Sequence, residues 1–266
     1  MKKLIGYLTP CLPSKEFTID LALSCSEAGL DGLELGLPFS DPVADGKIIE
    51  EASKKVLKNG FKLKDLFEIS SSITKELEGN LKSNSKSNSE KNSKSMEIFW
   101  MGYANTFYKN DFENMLKNAS LANASSFLIP DLPFEEAREY FELFEKYDKN
   151  LISFVSPNAS EERLKKILKH SKGFIYLLAY LGITGANKPQ EYNKDLILNL
   201  RDITSLPIFL GFGVDENNAK VKAKDVDGVI VGSAFVKNLL DESLNYQQKL
   251  KKITEQVKVI KEQINS

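Results

Sequence analysis

Eight short apolar runs recur along this chain, separated by longer stretches whose apolar residues fall at helical spacing. The runs occupy positions 4–9, 31–36, 96–101, 125–129, 151–154, 173–178, 206–211 and 227–231. Helical spacing covers 17–23, 48–57 with 63–77, 112–121, 134–147, 164–168, 192–203 and 219–223, and a last amphipathic run fills 234–264. Strands that alternate with helices pair in parallel, because each helix carries the chain back to the starting edge of the sheet. An open doubly wound sheet satisfies the alternation too. Eight repeats in 266 residues favour instead one α/β domain, a single (β/α)8 TIM barrel over 1–266. Helix starts are expected at Ser14 or Asp20, at Asp111 and at Ser160, and Pro133 falls where a first helical turn tolerates it.

One stretch breaks the rhythm. Residues 79–95 are almost entirely Ser, Asn and Lys, too polar to offset the entropy of ordering, so a mobile insertion is expected there. It joins a helix to the next strand and so belongs on the barrel face away from the chemistry. Charge excludes some partners. The 36 basic residues against 37 acidic ones leave no basic face for nucleic acid or an anionic membrane. Two unpaired cysteines, a start too short and polar for a signal peptide and the lack of a spanning apolar run suggest a cytoplasmic protein. The single histidine, His170, has no ligand partners near it, so no metal is expected.

In the run Gly32-Leu-Glu-Leu-Gly36, alternation puts Leu33 and Leu35 on one face and Glu34 on the other. On a barrel strand the leucines pack under the helices and the carboxylate points inward. There it is either salt-bridged to an interior base or a proton-transfer group with a raised pKa. The loop that follows ends with Asp45, which reads equally as a helix N-cap or as a working acid, and Asp41 before Pro42 suits a turn. Three late glycine turns follow the last strands: Gly182-Ile-Thr-Gly-Ala186, Gly211-Phe-Gly213 and Gly232-Ser233. Backbone amides and a helix start in such turns make a phosphate site, and glycine lets the anion approach.

Residues 33–46 resemble the signature of the tryptophan synthase α-chain family. The resemblance continues through Met101-Gly-Tyr-Ala-Asn105, Pro130-Asp-Leu-Pro133, Tyr176-Leu-Leu, Gly182-Ile-Thr-Gly185, Gly211-Phe-Gly213 and Gly232-Ser-Ala234, in order. It implies a lyase of tryptophan biosynthesis that splits indole-3-glycerol phosphate into indole and glyceraldehyde 3-phosphate. By the same resemblance Glu34 is the proton-shuttling acid/base, Asp45 the carboxylate facing the indole N–H, and Tyr176 an active-site tyrosine. Tyr103, Thr184, Gly185, Gly211, Phe212, Gly213, Gly232 and Ser233 are implied to bind the substrate and its phosphate. No cofactor is implied in this chain. Pyridoxal phosphate belongs to a β subunit, met in an α2β2 tetramer through Pro38, Asp41, Asn105, Asp131 and Pro133. A catalytically weak barrel that mainly activates such a β subunit is the alternative. The sequence departs from the family at Cys11-Leu12-Pro13, where Gly-Asp-Pro is usual, at Lys47, at Tyr180, and in an N-terminal helix shortened or missing before Lys3.

Overall fold

The apolar runs become strands, most of them buried on both faces, as parallel strands packed between helices and a barrel interior require. The computed structural model describes residues 1–84, 96–178 and 194–266. Its strands are β1 (Lys3–Leu8), β2 (Gly32–Gly36), β3 (Glu97–Met101), β4 (Ala124–Leu128), β5 (Asn150–Leu151), β6 (Ser153–Val155), β7 (Ile175–Leu178), β8 (Ile208–Gly211) and β9 (Gly228–Val231). All pair in parallel in the order β5-β4-β3-β2-β1-β9-β8-β7-β6. The two ends of that order are neighbouring pieces of one segment. The single expected strand 151–154 is divided at Ile152, whose N–H donates to the Phe127 carbonyl at 2.9 Å. Pairing passes from β4 to β7 across this break, and the sheet closes as a (β/α)8 TIM barrel.

The helices are α1 (Lys15–Glu27), α2 (Lys47–Lys58), α3 (Leu63–Asn84), α4 (Ala104–Lys109), α5 (Phe112–Leu121), α6 (Phe134–Ala137), α7 (Phe141–Lys146), α8 (Glu161–Leu168), α9 (Lys194–Ile203), α10 (Ala219–Lys222), α11 (Ser233–Leu240) and α12 (Tyr246–Ile264). Ser14, not Asp20, starts α1: its hydroxyl accepts from Phe17 N–H, while Asp20 sits inside the helix and accepts from the Tyr246 hydroxyl. Asp111 and Ser160 cap α5 and α8 as expected. Pro133 is the N-cap of α6 rather than a residue of its first turn. The final run is two helices, because Asn245 and Gln248 exchange hydrogen bonds in a capping box that restarts the chain as α12. Helix α3 runs to Asn84, beyond the expected end at 77, and takes in the start of the polar stretch; residues 85–95 lie outside the described ones. Among the described residues no helix is long and apolar enough to cross a membrane.

Leu33 and Leu35 are completely buried outside the strand ring, each contributing roughly 1.5–3 kcal/mol. Inside, Phe174 packs against Phe99 and Phe209, with ring centroids 5.7 and 4.7 Å apart. This aromatic plug closes the N-terminal half of the barrel. Gly32 and Gly228 make room for it, since a methyl at either would press on Phe99 or Phe209. At Cys11 the backbone is left-handed at φ 64°, a strained conformation for a side-chain-bearing residue. The Cys11 N–H donates to the Thr18 hydroxyl at 3.0 Å, which helps hold it there.

Candidate active site

Above the aromatic plug the barrel interior turns polar. Glu34 stands mid-strand on β2 with 1% of its surface exposed, and its Oε1 has no hydrogen-bond partner among the described residues. Burial raises its pKa to about 8, helped by the negative charge of Asp45. An ion pair with an interior base would push it down instead. Among the described residues no base pairs with Glu34, and with its pKa so raised the group keeps its proton at neutral pH.

Asp45 resolves the other ambiguity. The N-cap of α2 is Gly46, which makes no side-chain cap hydrogen bond, so the Asp45 carboxylate lies one residue outside the cap. It is 8% exposed. Its pKa rises to about 6, through burial first, with the Tyr103 hydrogen bond opposing and the charge of Glu50 adding. At neutral pH Asp45 is an anion beside a protonated Glu34. Two carboxylates pushed apart in pKa are how a site runs acid and base chemistry at one pH.

Tyr103, on the loop between β3 and α4, clasps the loop that carries Asp45. Its hydroxyl bonds to the Asp45 carboxylate and accepts from Ala44 N–H at 3.0 Å. Its ring stacks on Phe39 at 5.2 Å. The hydroxyl thus fixes the position of the carboxylate.

Tyr176 on β7 is buried, lies edge-on to Phe212 at 5.9 Å and reaches over Gly211, where a methyl would overlap its hydroxyl end. Tyr7 on β1 makes the same use of Gly36 and pairs in register with Glu34. Burial and the nearby carboxylates push both phenols upward, so both stay protonated. The sequence reading missed Tyr7. Its parity along β1, two positions after the inward Ile5, is the signal that could have found it.

One cavity of about 50 Å³ is bounded by Glu34, Asp45, Tyr176, Gly213, Gly232 and Ser233, with Phe212 at its edge. The carboxylates and two of the three glycine turns thus converge at the C-terminal mouth of the barrel, where chemistry resides in this fold. Gly232 is the N-cap and Ser233 the first residue of α11, so the start of a helix borders this space. Thr184 and Gly185 of the third turn lie outside the described residues, as does Tyr180. A substrate-sized site holds ~300–1,000 Å³, so a ligand enters only if side chains at the mouth, such as Phe212, give way. A hollow of about 810 Å³ at the opposite mouth is larger. Its rim charges are already spent on one another, Lys3 on Asp31 at 2.8 Å and Arg201 on Asp227 at 2.7 Å. Chemistry, not size, separates the two.

Asp41, Asp131 and Pro133 are exposed on loops around the C-terminal mouth, and Asn105 is exposed on the first turn of α4. Asp131 also accepts from Ala104 N–H at 2.8 Å and so ties the β4–α6 loop to the start of α4. Pro38 is buried beneath its loop and presents little surface to a partner. Val43, 70% exposed, is an apolar side chain of the same rim that the sequence reading did not single out. Among the described residues no group of three His, Cys, Asp or Glu is placed to hold a metal ion.

Comparison with known proteins matches residues 1–265 to the sequence model of the tryptophan synthase alpha chain. The tryptophan synthase alpha chain of Wolinella succinogenes is 48% identical over 267 residues, covering 100% of this chain and 97% of that one. That of Petrotoga mobilis is 36% identical, covering 97% and 95%. Among solved structures, a mutant tryptophan synthase alpha-subunit from Pyrococcus furiosus superposes with a TM-score of 0.78 at 32% identity, covering 97% and 99%.

Proposed function

Because this chain belongs to the tryptophan synthase alpha chain family, and so serves as a subunit in tryptophan biosynthesis, we propose that it performs a retro-aldol cleavage of indole-3-glycerol phosphate. The observation that carries the proposal is the pair of buried carboxylates on one cavity, Glu34 held neutral and Asp45 ionised at pH 7.

Cleavage begins when Glu34 gives its proton to C3 of the indole, which turns the ring into an electron-accepting indolenine. The positive charge that develops at the ring nitrogen is met by the Asp45 anion, in a site that excludes water and so strengthens the interaction. Glu34, now a carboxylate, takes the proton of the adjacent glycerol hydroxyl. That oxygen's electrons form the aldehyde, the C–C bond breaks, and its electron pair restores the aromatic ring. Indole and glyceraldehyde 3-phosphate leave, and Glu34 has its proton again. Tyr7 and Tyr176 wall the ring, while Gly211, Phe212, Gly213, Gly232 and Ser233 take the phosphate on backbone amides and a helix start. Thr184 and Gly185 are assigned to the same grip. Pyridoxal phosphate is not assigned to this chain. That cofactor is assigned to a β-subunit partner, docked on the rim formed by Asp41, Asn105, Asp131 and Pro133 in an α2β2 assembly.

The test is indole release from indole-3-glycerol phosphate, with and without β subunit. Glu34→Gln should abolish it, by at least the roughly 10²–10⁴-fold that one proton transfer is worth, while glycerol 3-phosphate still binds. Near-normal turnover of this variant would remove Glu34 from the mechanism. Indole release undetectable even in the wild-type complex would favour the weakly catalytic, partner-activating alternative.

A further inference from the structure

The turn after β8 is held by a side chain that the proposed chemistry does not use. Phe212 and Gly213 both have left-handed backbones, at φ 71° and 69°. Their carbonyls both accept from one group, the Lys222 ammonium, and so point to the same side of the turn. In a trans peptide the carbonyl and the following N–H point in opposite directions. The carbonyls of Phe212 and Gly213 therefore gather on one side of the turn, and the amides of Gly213 and Val214 on the other.

The carbonyl side is occupied. Lys222, the last residue of α10, is half-buried and donates from Nζ to the Phe212 carbonyl at 3.3 Å and to the Gly213 carbonyl at 2.5 Å. Asn218 Nδ2 adds a second donor on the Gly213 carbonyl at 2.9 Å. The amides point away from Lys222, and Gly213 and Val214 border the cavity together with Gly232 and Ser233. A non-glycine residue such as Phe212 adopts a left-handed backbone only at a cost, so the turn needs to be held in this shape. The ammonium group supplies that hold and adds positive charge behind the amides.

Resting on the reading that the late turns receive a phosphate, we propose that Lys222, assisted by Asn218, is a positioning residue that aims the Gly213 and Val214 amides at the substrate's phosphate. It never touches the substrate. It acts by keeping two peptide groups turned the right way, so that their donors converge on an anion without reorganising.

The experiment compares the full-length wild type with Lys222→Met, Lys222→Arg and Asn218→Ala, each checked for folding by its thermal melt. Two readouts are taken: indole release from indole-3-glycerol phosphate and from dephosphorylated indole-3-glycerol, and calorimetric binding of glycerol 3-phosphate. Lys222→Met should lower the selectivity for the phosphorylated substrate about tenfold, with the loss in KM rather than kcat, and weaken glycerol 3-phosphate by a similar factor. Lys222→Arg, which keeps donors for both carbonyls, should recover most of this, and Asn218→Ala should shift it less in the same direction. Equal losses on both substrates, or unchanged glycerol 3-phosphate binding in Lys222→Met and Asn218→Ala, would overturn the proposal. A wild type with no preference for phosphorylated ligands would instead bring down the phosphate reading, and the proposal with it.

Discussion

Replacing Glu34 with Gln should inactivate this protein and should raise its stability relative to the wild type steadily with pH, up to about pH 8. In an unfolded chain the glutamate ionises near 4.5, whereas in the barrel it keeps its proton up to about 8. A group whose pKa is raised by folding contributes stability that is fully present below its unfolded value and lost as pH rises through its folded value. Each pH unit between the two gives the unfolded state ~1.4 kcal/mol. At pH 7 the accumulated penalty is about 3 kcal/mol, and above pH 8 it levels off near ~5 kcal/mol. Glutamine keeps the shape and cannot ionise, so it escapes this penalty. Its amide brings N–H donors into a place that already leaves Oε1 unpartnered, at a cost of ~1–3 kcal/mol that does not vary with pH. The diagnostic quantity is therefore the slope. Urea unfolding at intervals from about pH 5 to 9, followed by the fluorescence of the buried Trp100, should show the variant gaining on the wild type by ~1.4 kcal/mol per pH unit until about pH 8. Parallel stability curves would mean that Glu34 titrates normally in the folded protein. It would then hold no proton at neutral pH, and the mechanism would lose its acid.

Two further outcomes follow from the same geometry. Indole release should be bell-shaped in pH, rising as Asp45 ionises through about 6 and falling as Glu34 loses its proton through about 8; Tyr103→Phe, which deletes a bond that lowers the Asp45 value, should move only the rising limb upward, and a stationary limb would show that the hydroxyl does not govern Asp45. Deleting residues 85–95 should leave kcat/KM within about twofold, because α3 hands the chain to the N-terminal end of β3, away from the chemistry; a collapse of turnover in a folded deletion variant would refute that placement.

The sequence by itself determined the architecture and the inward direction of Glu34. Both rest on periodicities that are properties of the local chain. Strands read at a period of two and helices at 3.6, and on β2 that alternation put Leu33 and Leu35 under the helices and Glu34 inside. The break at Ile152 escaped the same reading, because dividing a strand depends on which neighbour pairs with each half, and no local pattern encodes that. The role of Asp45 was open for a related reason. An aspartate just before a helix caps it or not according to where the first helical residue falls, and only the folded chain, with Gly46 as the cap, frees the carboxylate. The clasp of Tyr103 on that loop, and the hold of Lys222 on Phe212 and Gly213, bring together residues that the pattern treats separately. Tertiary structure alone decided the two acidities. Desolvation and the distance between charges set them, and neither exists until the strands have closed around Glu34.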